Sequence, residues 1–314
     1  MIGEGRLDGF DTLVLSSEEA AIEATFAPGA GMVGCSLRHD GAELLGQRGG
    51  LAASVAERTV MGIPLLYPWA NRVTETRFQV GGREVNLESA SPAPRRDPNG
   101  LPIHGLLTGA PGWRVDRRQS TEEGGSLGAR FDFASQAGLL AAFPFPHELS
   151  TEISLEEATL TVATTVYASG GVDVPTSFGY HPFFKLPGAE RSTWELDIPV
   201  SERLLLDERM IPTGGREPAE VEPGPLGSRT FDDAFLAPAG SAPLSVSGGG
   251  RRVAVTLGEG YRYTQVYAPE DDDVVALEPM TAPTNALVEG PPEPIVVPSG
   301  ESFGAEFSIT VTSS

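Results

Sequence analysis

The sequence predicts an all-β protein, a large β-sandwich with few short helices. Short runs of alternating apolar and polar residues recur along the 314 residues, and 38 glycines and 27 prolines supply turns between them. Apolar residues form 40% of the chain, which is enough for a sizeable core. No amphipathic segment exceeds about two helical turns, and no linker or repeat divides the chain. We therefore expect one domain over residues 1–314.

The first predicted strands form a meander. Each is bounded by glycine, proline or charged residues: Thr12–Ser16, Ala21–Phe26, Met32–Arg38 and Ala42–Leu45. Residues 49–59 show no clear pattern and are assigned to a loop. Residues 61–73 are apolar, but Pro64 and Pro68 favour a buried extended segment over a helix.

Two hairpins are the clearest local signals. Gly81 and Gly82 join the strand-like runs 77–80 and 83–87, because glycine supplies the positive φ angles of a two-residue turn. Three glycines separate a second pair of runs, 244–247 and 251–257. The other predicted strands are 113–118, 129–134, 148–155, 159–168, 194–198, 203–206, 261–267, 274–277 and 302–312, and we expect 148–155 to pair with 159–168. Residues 89–111 are predicted to be a long loop, 138–142 a short helix, and 212–228 an exposed connection.

The charge of the chain limits its partners. The formal net charge is −21, from 22 basic and 43 acidic residues. Such a surface repels phosphate backbones and anionic lipids, so we expect neither nucleic-acid nor membrane partners. The N-terminus lacks a basic segment followed by an apolar run, and no stretch reaches the roughly 18 apolar residues of a membrane span. A cytoplasmic location is the prediction.

Known cofactor signatures are absent from the sequence. Cys35 is the one cysteine, so a disulfide within the chain and a cysteine metal cluster are excluded, and its expected role is that of a small buried apolar residue. Phosphate-binding loops, dinucleotide fingerprints and zinc-protease motifs do not occur. We expect no cofactor and no metal.

The four histidines differ in their sequence context. His39 is predicted to be an exposed turn residue and His147 a structural residue before a strand. His104 lies in the long Gly/Pro loop, where binding and tying down the loop are equally good explanations. His181 is the strongest candidate, because Pro182 forces it into an extended conformation and the flanking aromatic residues support it from the other face of the strand.

Glu278 ends a continuous apolar run and directly precedes Pro279. A carboxylate in such a place is costly unless it is paired or used, and burial raises its pKa, as a general base requires. Arg72 follows another apolar run. It can donate to the oxygens of a bound ligand or form an ion pair with a buried acid such as Glu278.

Asp232 and Asp233 are adjacent carboxylates flanked by phenylalanines. Neighbouring side chains on a strand face opposite ways, so we expect only one of the two to point into a cleft. Because glycosidases use two carboxylates, a glycosidase with Glu278 and Asp232 also stays open.

Five motifs resemble the aldose 1-epimerase (galactose mutarotase) family, in family order: ANRV at 70–73, PIHGLL at 102–107, FGYHPFFKLPG at 178–188, FDDAF at 231–235 and LEPMTAPTNAL at 277–287. The resemblance implies a mutarotase-like supersandwich. It also implies cofactor-independent interconversion of the α and β anomers of a free aldohexose.

The resemblance also assigns roles to individual residues. It implies that Glu278 is the general base and His181 the general acid. His104 and Arg72 match residues that bind ring and hydroxyl oxygens, and Asp232 matches the acid that holds sugar hydroxyls. Gln265 falls where a further polar contact is expected.

Departures from the family pattern leave the substrate open. Leu106 stands where many members carry a second glycine after His-Gly, and Pro-Trp precedes Ala70. A hexose-6-phosphate 1-epimerase is one alternative, with Arg95 and Arg96, or Lys185 and Arg191, as phosphate donors. A non-catalytic carbohydrate-binding protein is another. We expect a monomer or homodimer.

The reaction requires two groups on opposite sides of the reacting centre. We therefore expect Glu278 and His181 to face one cleft, separated by about a sugar ring. Arg72, His104 and Asp232 should lie around its rim. Because aromatic surroundings lower the pKa of His181, a further carboxylate should lie near it.

Overall fold

The structure is a computed structural model, and it describes residues 1–288 and 293–313. Strands dominate it, as predicted. In chain order the first ten are β1 (Ile2–Leu7), β2 (Phe10–Ser17), β3 (Ile22–Ala27), β4 (Val33–His39), β5 (Ala42–Glu43), β6 (Leu65–Leu66), β7 (Arg77–Val80), β8 (Arg83–Asn86), β9 (Arg95–Arg96) and β10 (Pro102–Ile103).

The middle of the chain supplies nine further strands. They are β11 (Arg114–Ser120), β12 (Gly124–Asp132), β13 (Glu148–Glu156), β14 (Thr159–Tyr167), β15 (Val174–Thr176), β16 (Gly179–Tyr180), β17 (Phe183–Phe184), β18 (Glu195–Ile198) and β19 (Glu202–Leu206).

The C-terminal third adds the last nine: β20 (Pro212–Pro218), β21 (Val221–Pro225), β22 (Phe231–Leu236), β23 (Leu244–Gly248), β24 (Arg251–Leu257), β25 (Tyr263–Ala268), β26 (Val275–Met280), β27 (Ile295–Val297) and β28 (Ser302–Ser313). The α-helices of the described residues are short: α1 (Leu51–Glu57) and α2 (Ala137–Leu140). None of the helices in the described ranges is long and apolar enough to cross a membrane.

Three large sheets build the molecule. A five-stranded sheet runs β1-β2-β3-β4-β5, and a nine-stranded sheet runs β11-β12-β13-β14-β28-β24-β23-β18-β21. An eight-stranded sheet runs β20-β19-β22-β25-β26-β16-β6, and β17 also pairs with β26. Successive side chains of a strand point to opposite faces, so each sheet presents one face to the core and one away from it.

The main hydrophobic core draws side chains from all three sheets, including Leu15 of β2, Ile153 of β13 and Leu277 of β26. Aromatic rings span the space between sheets: Tyr180 of β16 and Phe307 of β28 have ring centroids 5.0 Å apart. The predicted β-sandwich is therefore confirmed.

Several local predictions are confirmed as well. Strands β13 and β14 pair in register from Glu148–Tyr167 to Glu156–Thr159. Both predicted hairpins form, as β7–β8 and β23–β24. The short helix expected near residue 138 is α2, and Cys35 is buried as expected.

Three local predictions are wrong, each for a tertiary reason. Residues 49–59 contain α1, whose first turn is fixed from a distance, because a carboxylate oxygen of Asp8 accepts the Leu51 N–H at 2.8 Å. Residues 212–228 form β20 and β21, which are the edge strands of two sheets, where proline is tolerated. His39 is only 6% exposed, because it shares the buried face of β4 with Cys35 and Leu37.

Candidate active site

The candidate site lies on the face of the eight-stranded sheet opposite the main core. Ala234 of β22 and Ala276 and Met280 of β26 belong to a separate small apolar cluster on this face. Alternation along β22 and β26 places Asp232 and Glu278 on the same face. The sheet therefore aligns polar side chains from strands that are distant in sequence.

The two adjacent acids of β22 point to opposite faces of the sheet, as expected from strand alternation. Asp232 accepts a hydrogen bond from the Gln265 amide at 2.6 Å on the cleft side. Asp233 lies on the other face and pairs with Arg203 at 3.2 Å. Gln265 is 2% exposed and lies directly beside Glu278 in the β25–β26 register, behind Asp232 rather than in the cleft lining.

His181 lies between β16 and β17, on the cleft side. Its ring stacks on Phe183 with centroids 4.0 Å apart and planes 17° apart. Its Nε2 lies 3.2 Å from Oε1 of Glu278. The two residues line one cleft, as expected. The prediction that they are separated by about a sugar ring is wrong. They touch because β16 and β17 are hydrogen-bonded neighbours of β26 and both side chains lie on one face.

The loop carrying His104 is docked onto the segment that carries Arg72. The His104 N–H donates to the Asn71 carbonyl at 2.8 Å, and the Leu106 N–H donates to the Tyr67 carbonyl at 2.6 Å. His104 has a φ of +66°, in the left-handed region that residues other than glycine seldom adopt. At Gly105 a Cβ would lie 2.2 Å from the Tyr67 carbonyl oxygen, so only glycine fits there. The docked loop brings the His104 ring to 5.5 Å from the His181 ring.

Arg72 does not pair with Glu278, the partner suggested by the sequence. Its Nε donates to Asp97 at 2.8 Å and its Nη1 to the side-chain oxygen of Asn71 at 2.8 Å. Its Nη2 lies 3.9 Å from a carboxylate oxygen of Asp232.

These side chains surround a cleft of about 160 Å³. The volume is below the range of about 300–1,000 Å³ that is typical of drug-sized ligands, which suits a molecule of monosaccharide size. The lining residues are Arg48, Val60, Asn71, Arg72, Arg95, Asp97, Pro98, Ile103, His104, His181, Phe183, Asp232, Tyr267 and Glu278.

Comparison with known protein families gives one decisive result. The family model described as aldose 1-epimerase matches residues 22–310, which is most of the chain. The chain belongs to the aldose 1-epimerase family. A comparison with curated protein sequences found no match.

Solved structures agree with membership of the aldose 1-epimerase family at the level of the fold. A galactose mutarotase-like protein from Clostridium acetobutylicum is 18% identical, with a TM-score of 0.86 over 100% of this chain and 99% of that one. Galactose 1-epimerase from Lactobacillus acidophilus is 16% identical, with a TM-score of 0.77 over 100% and 98%. A GalM/aldose epimerase homologue from C. elegans is 15% identical, with a TM-score of 0.74 over 99% of each chain. At these identities the likeness shows the fold alone.

Burial governs the charges in this aldose 1-epimerase family cleft. Desolvation raises the pKa of Glu278 well above its ordinary value; Asp232 adds to this rise and Arg72 opposes it. Desolvation lowers the pKa of His181 well below its ordinary value, and His104 and Arg48 lower it further. Both shifts favour the uncharged form of each group, so the one proton that this contacting pair shares lies on Glu278 rather than on His181. Glu278 is a carboxylate in contact with His181, but none of the described carboxylates raises the pKa of this histidine, so the expectation of one that opposes the shift is not confirmed.

Burial also shifts the pKa values of two neighbouring groups, His104 and Asp232. Burial first, and then the nearby arginines, lower the pKa of His104 to about 3, so its ring is neutral. Burial also raises the pKa of Asp232, against the opposing effects of Arg72 and Gln265.

Sequence reasoning missed several residues of the cleft, and three of them carry charge or a hydroxyl: Asp97, Arg48 and Tyr267. Asp97 lies in the long loop, where Asp-Pro-Asn-Gly signals a turn but not its arginine partner. Arg48 lies over the Phe183 ring at 5.1 Å and pairs with Asp272 at 3.4 Å, and no local pattern indicates either contact. Tyr267 is half-buried on β25, two residues after Gln265, and strand alternation from Gln265 could have found it.

Proposed function

We propose that the protein is an aldose 1-epimerase that interconverts the α and β anomers of a free aldohexose. The observation that carries this proposal is the buried contact of 3.2 Å between Glu278 and His181 in a cleft of monosaccharide size. A buried acid and base that hold one proton between them can remove a proton from one sugar oxygen and deliver one to another.

The proposed reaction conserves protons. The shared proton first moves from Glu278 to His181. Glu278 then takes the proton from the anomeric O1 hydroxyl while His181 gives its proton to the ring oxygen, and the bond from C1 to that oxygen breaks. The C1–C2 bond of the open aldehyde then rotates, and the reverse transfers close the ring on the other face of C1. Each transfer contributes about 10²–10⁴-fold to the rate.

The remaining polar residues are proposed to bind the sugar. Arg72 and His104 donate to ring and hydroxyl oxygens, and Asp232 accepts from sugar hydroxyls. Gln265, bonded to Asp232 at 2.6 Å, holds that carboxylate in place. The core that runs from Leu13 to Val311 supports a single domain. A cytoplasmic location and a monomeric or homodimeric state stay predictions.

Polarimetry of freshly dissolved α-D-glucose and α-D-galactose tests the proposal. The protein should accelerate equilibration, and Glu278→Gln, which preserves size and removes the base, should lower kcat by about 10²–10⁴-fold. The matched control is Glu88→Gln, because Glu88 forms an exposed ion pair with Arg77. Unchanged kcat in Glu278→Gln would contradict the assignment. Sugar binding without faster equilibration on any aldose would favour a non-catalytic binding protein.

One observation favours a second candidate, a hexose-6-phosphate 1-epimerase. Arg95 lines the cleft and forms no ion pair with the described residues, whereas Arg96 is exposed and donates to the Gly100 carbonyl at 2.6 Å. Arg191 donates to the carbonyls of Ala268 and Pro269, and Lys185 also lies outside the lining.

Polarimetry with glucose and glucose 6-phosphate separates the two candidates. A phosphate specificity predicts lower KM for the phosphate ester, lost in Arg95→Gln and kept in Arg96→Gln. Equal or weaker use of the phosphate ester excludes this candidate.

A further inference from the structure

The side chain of Asp97 divides its two oxygens between two tasks. One oxygen accepts the Leu101 N–H at 2.8 Å and closes a turn. The other accepts the Arg72 Nε–H at 2.8 Å. The backbone reinforces the turn. The Asp97 N–H donates to the Leu101 carbonyl at 2.9 Å, and the Asp97 carbonyl accepts the Gly100 N–H at 2.9 Å. The Asp97 side chain is 1% exposed, so this acid is fixed before any ligand arrives.

Asp97 in turn fixes the plane of the Arg72 guanidinium. A guanidinium is planar and carries five N–H groups. In Arg72 the Nε–H is used by Asp97, and one Nη1–H is used by Asn71. Two anchored nitrogens define a plane, and Nη2 is the end of that plane directed towards Asp232. The gap of 3.9 Å from Nη2 to the Asp232 oxygen exceeds a hydrogen bond.

We propose that Asp97 is a positioning residue of the sugar site: it holds Arg72 so that Nη2 donates to a sugar oxygen, and it keeps Nη2 from closing a direct hydrogen bond to Asp232. This inference rests on the proposed function. The proposed role of Asp97 is electrostatic as well as geometric. With its charge balanced by Asp97, Arg72 leaves Asp232 as an acceptor for sugar hydroxyls.

A second turn in the chain shows that the buried arginine contact is not a requirement of the turn itself. The backbone N–H of Asp207 donates to the Ile211 carbonyl at 2.8 Å, and a carboxylate oxygen of Asp207 accepts the Ile211 N–H at 3.0 Å. Its other carboxylate oxygen pairs with Arg209 at 3.2 Å, but the two side chains are 33% and 53% exposed. The same turn thus forms with a partly exposed acid and a local arginine. At Asp97 the acid is buried and reaches an arginine 25 residues away.

Asp97→Asn separates the two tasks of Asp97. The amide oxygen can still accept the Leu101 N–H, so the turn keeps its bond, while the amide nitrogen is a donor and cannot accept from Arg72. We expect KM to rise about tenfold with kcat nearly unchanged, because the lost interaction holds ground state and transition state alike. Asp207→Asn is the matched control and should leave KM and kcat unchanged. A wild-type KM in Asp97→Asn would overturn the proposal.

A double-mutant cycle tests whether Asp97 acts through Arg72. Arg72→Gln alone should raise KM about 10–100-fold, the range for a lost charged hydrogen bond. Adding Asp97→Asn to Arg72→Gln should then change KM little, because the group that Asp97 positions is already gone. Effects that multiply independently would show that Asp97 acts by another route.

One readout does not need catalysis. The Arg72 Nε–H resonance, assigned by its loss in Arg72→Gln, should exchange slowly with solvent in the wild-type protein and rapidly in Asp97→Asn. If no aldose is turned over, the proposed function fails while this measurement still decides the positioning of Arg72. If the resonance is unchanged in Asp97→Asn, the positioning role is wrong even where catalysis is confirmed.

Discussion

His147 and His181 are two buried histidines with nearly the same apolar support. The ring of His147 stacks on Phe133 with centroids 4.4 Å apart and planes 21° apart. The ring of His181 stacks on Phe183 at 4.0 Å and 17°. Their exposures are 0% and 7%. Neither burial nor stacking on an aromatic ring separates a structural histidine from a candidate catalytic one.

The hydrogen-bond partners do separate them. His147 has both nitrogens satisfied: its Nδ1–H donates to the Phe145 carbonyl at 2.5 Å, and its Nε2 accepts from the Tyr67 hydroxyl at 2.7 Å. In His181 the Nε2 meets the carboxyl of Glu278, and Nδ1 has no hydrogen-bond partner among the described residues. A group whose partners are all fixed is structural, whereas one that shares a proton with an acid in a cleft can transfer it.

The largest expected effect is on catalysis. His181→Gln should lower kcat by about 10²–10⁴-fold, because the proton can no longer be delivered to the ring oxygen. His147→Gln, assayed where it is fully folded, should keep its kcat, because His147 contacts neither Glu278 nor the cleft lining. Polarimetric kcat values for the two variants check this. Equal losses in both would mean that the difference in partners does not mark the catalytic residue.

The second prediction concerns stability. Burial lowers the pKa of His147 to about 4, against a reference value of 6.5. A lowered pKa means that the folded state binds fewer protons than the unfolded state below pH 6.5. The contribution of His147 to stability is therefore fully present above pH 6.5 and is lost as the pH falls towards 4.

Urea unfolding at pH 7 and pH 4.5 measures this loss. Between the two pH values the wild-type free energy of unfolding should fall by about 2 kcal/mol more than that of His147→Gln, which cannot titrate. Asp132 is the nearby carboxylate that opposes the shift, so the same comparison in Asp132→Asn should show a slightly larger loss. Parallel pH dependence in the wild type and His147→Gln would show that His147 does not titrate in this way.

Residues in extended segments were the ones that the sequence located well. Alternation and a following proline identified His181 and Glu278, because both signals are local and describe the extended backbone itself. The chain does not say which strands become neighbours, so the direct contact between the two side chains was missed. Asp97 was missed for the same reason. The sequence indicates its turn, but its hydrogen bond to Arg72 depends on how the loop packs against the segment that carries Arg72.

The smallest expected effects concern two adjacent acids. They test whether the partner of a side chain and the face on which it lies also distinguish a binding residue from a surface residue. Asp232 faces the cleft with its partner Gln265, and Asp233 faces away with its partner Arg203. Asp232→Asn should raise KM about tenfold, because the charged acceptor for sugar hydroxyls is lost.

Asp233→Asn should leave KM unchanged and cost at most about 1 kcal/mol of stability, because its ion pair is exposed to water. Measuring KM by polarimetry and stability by urea unfolding in both variants completes the comparison. A raised KM in Asp233→Asn would mean that strand alternation does not determine which acid meets the sugar. A change confined to Asp232→Asn would mean that one strand step, about 3.4 Å along the chain, is enough to separate a binding residue from a surface residue.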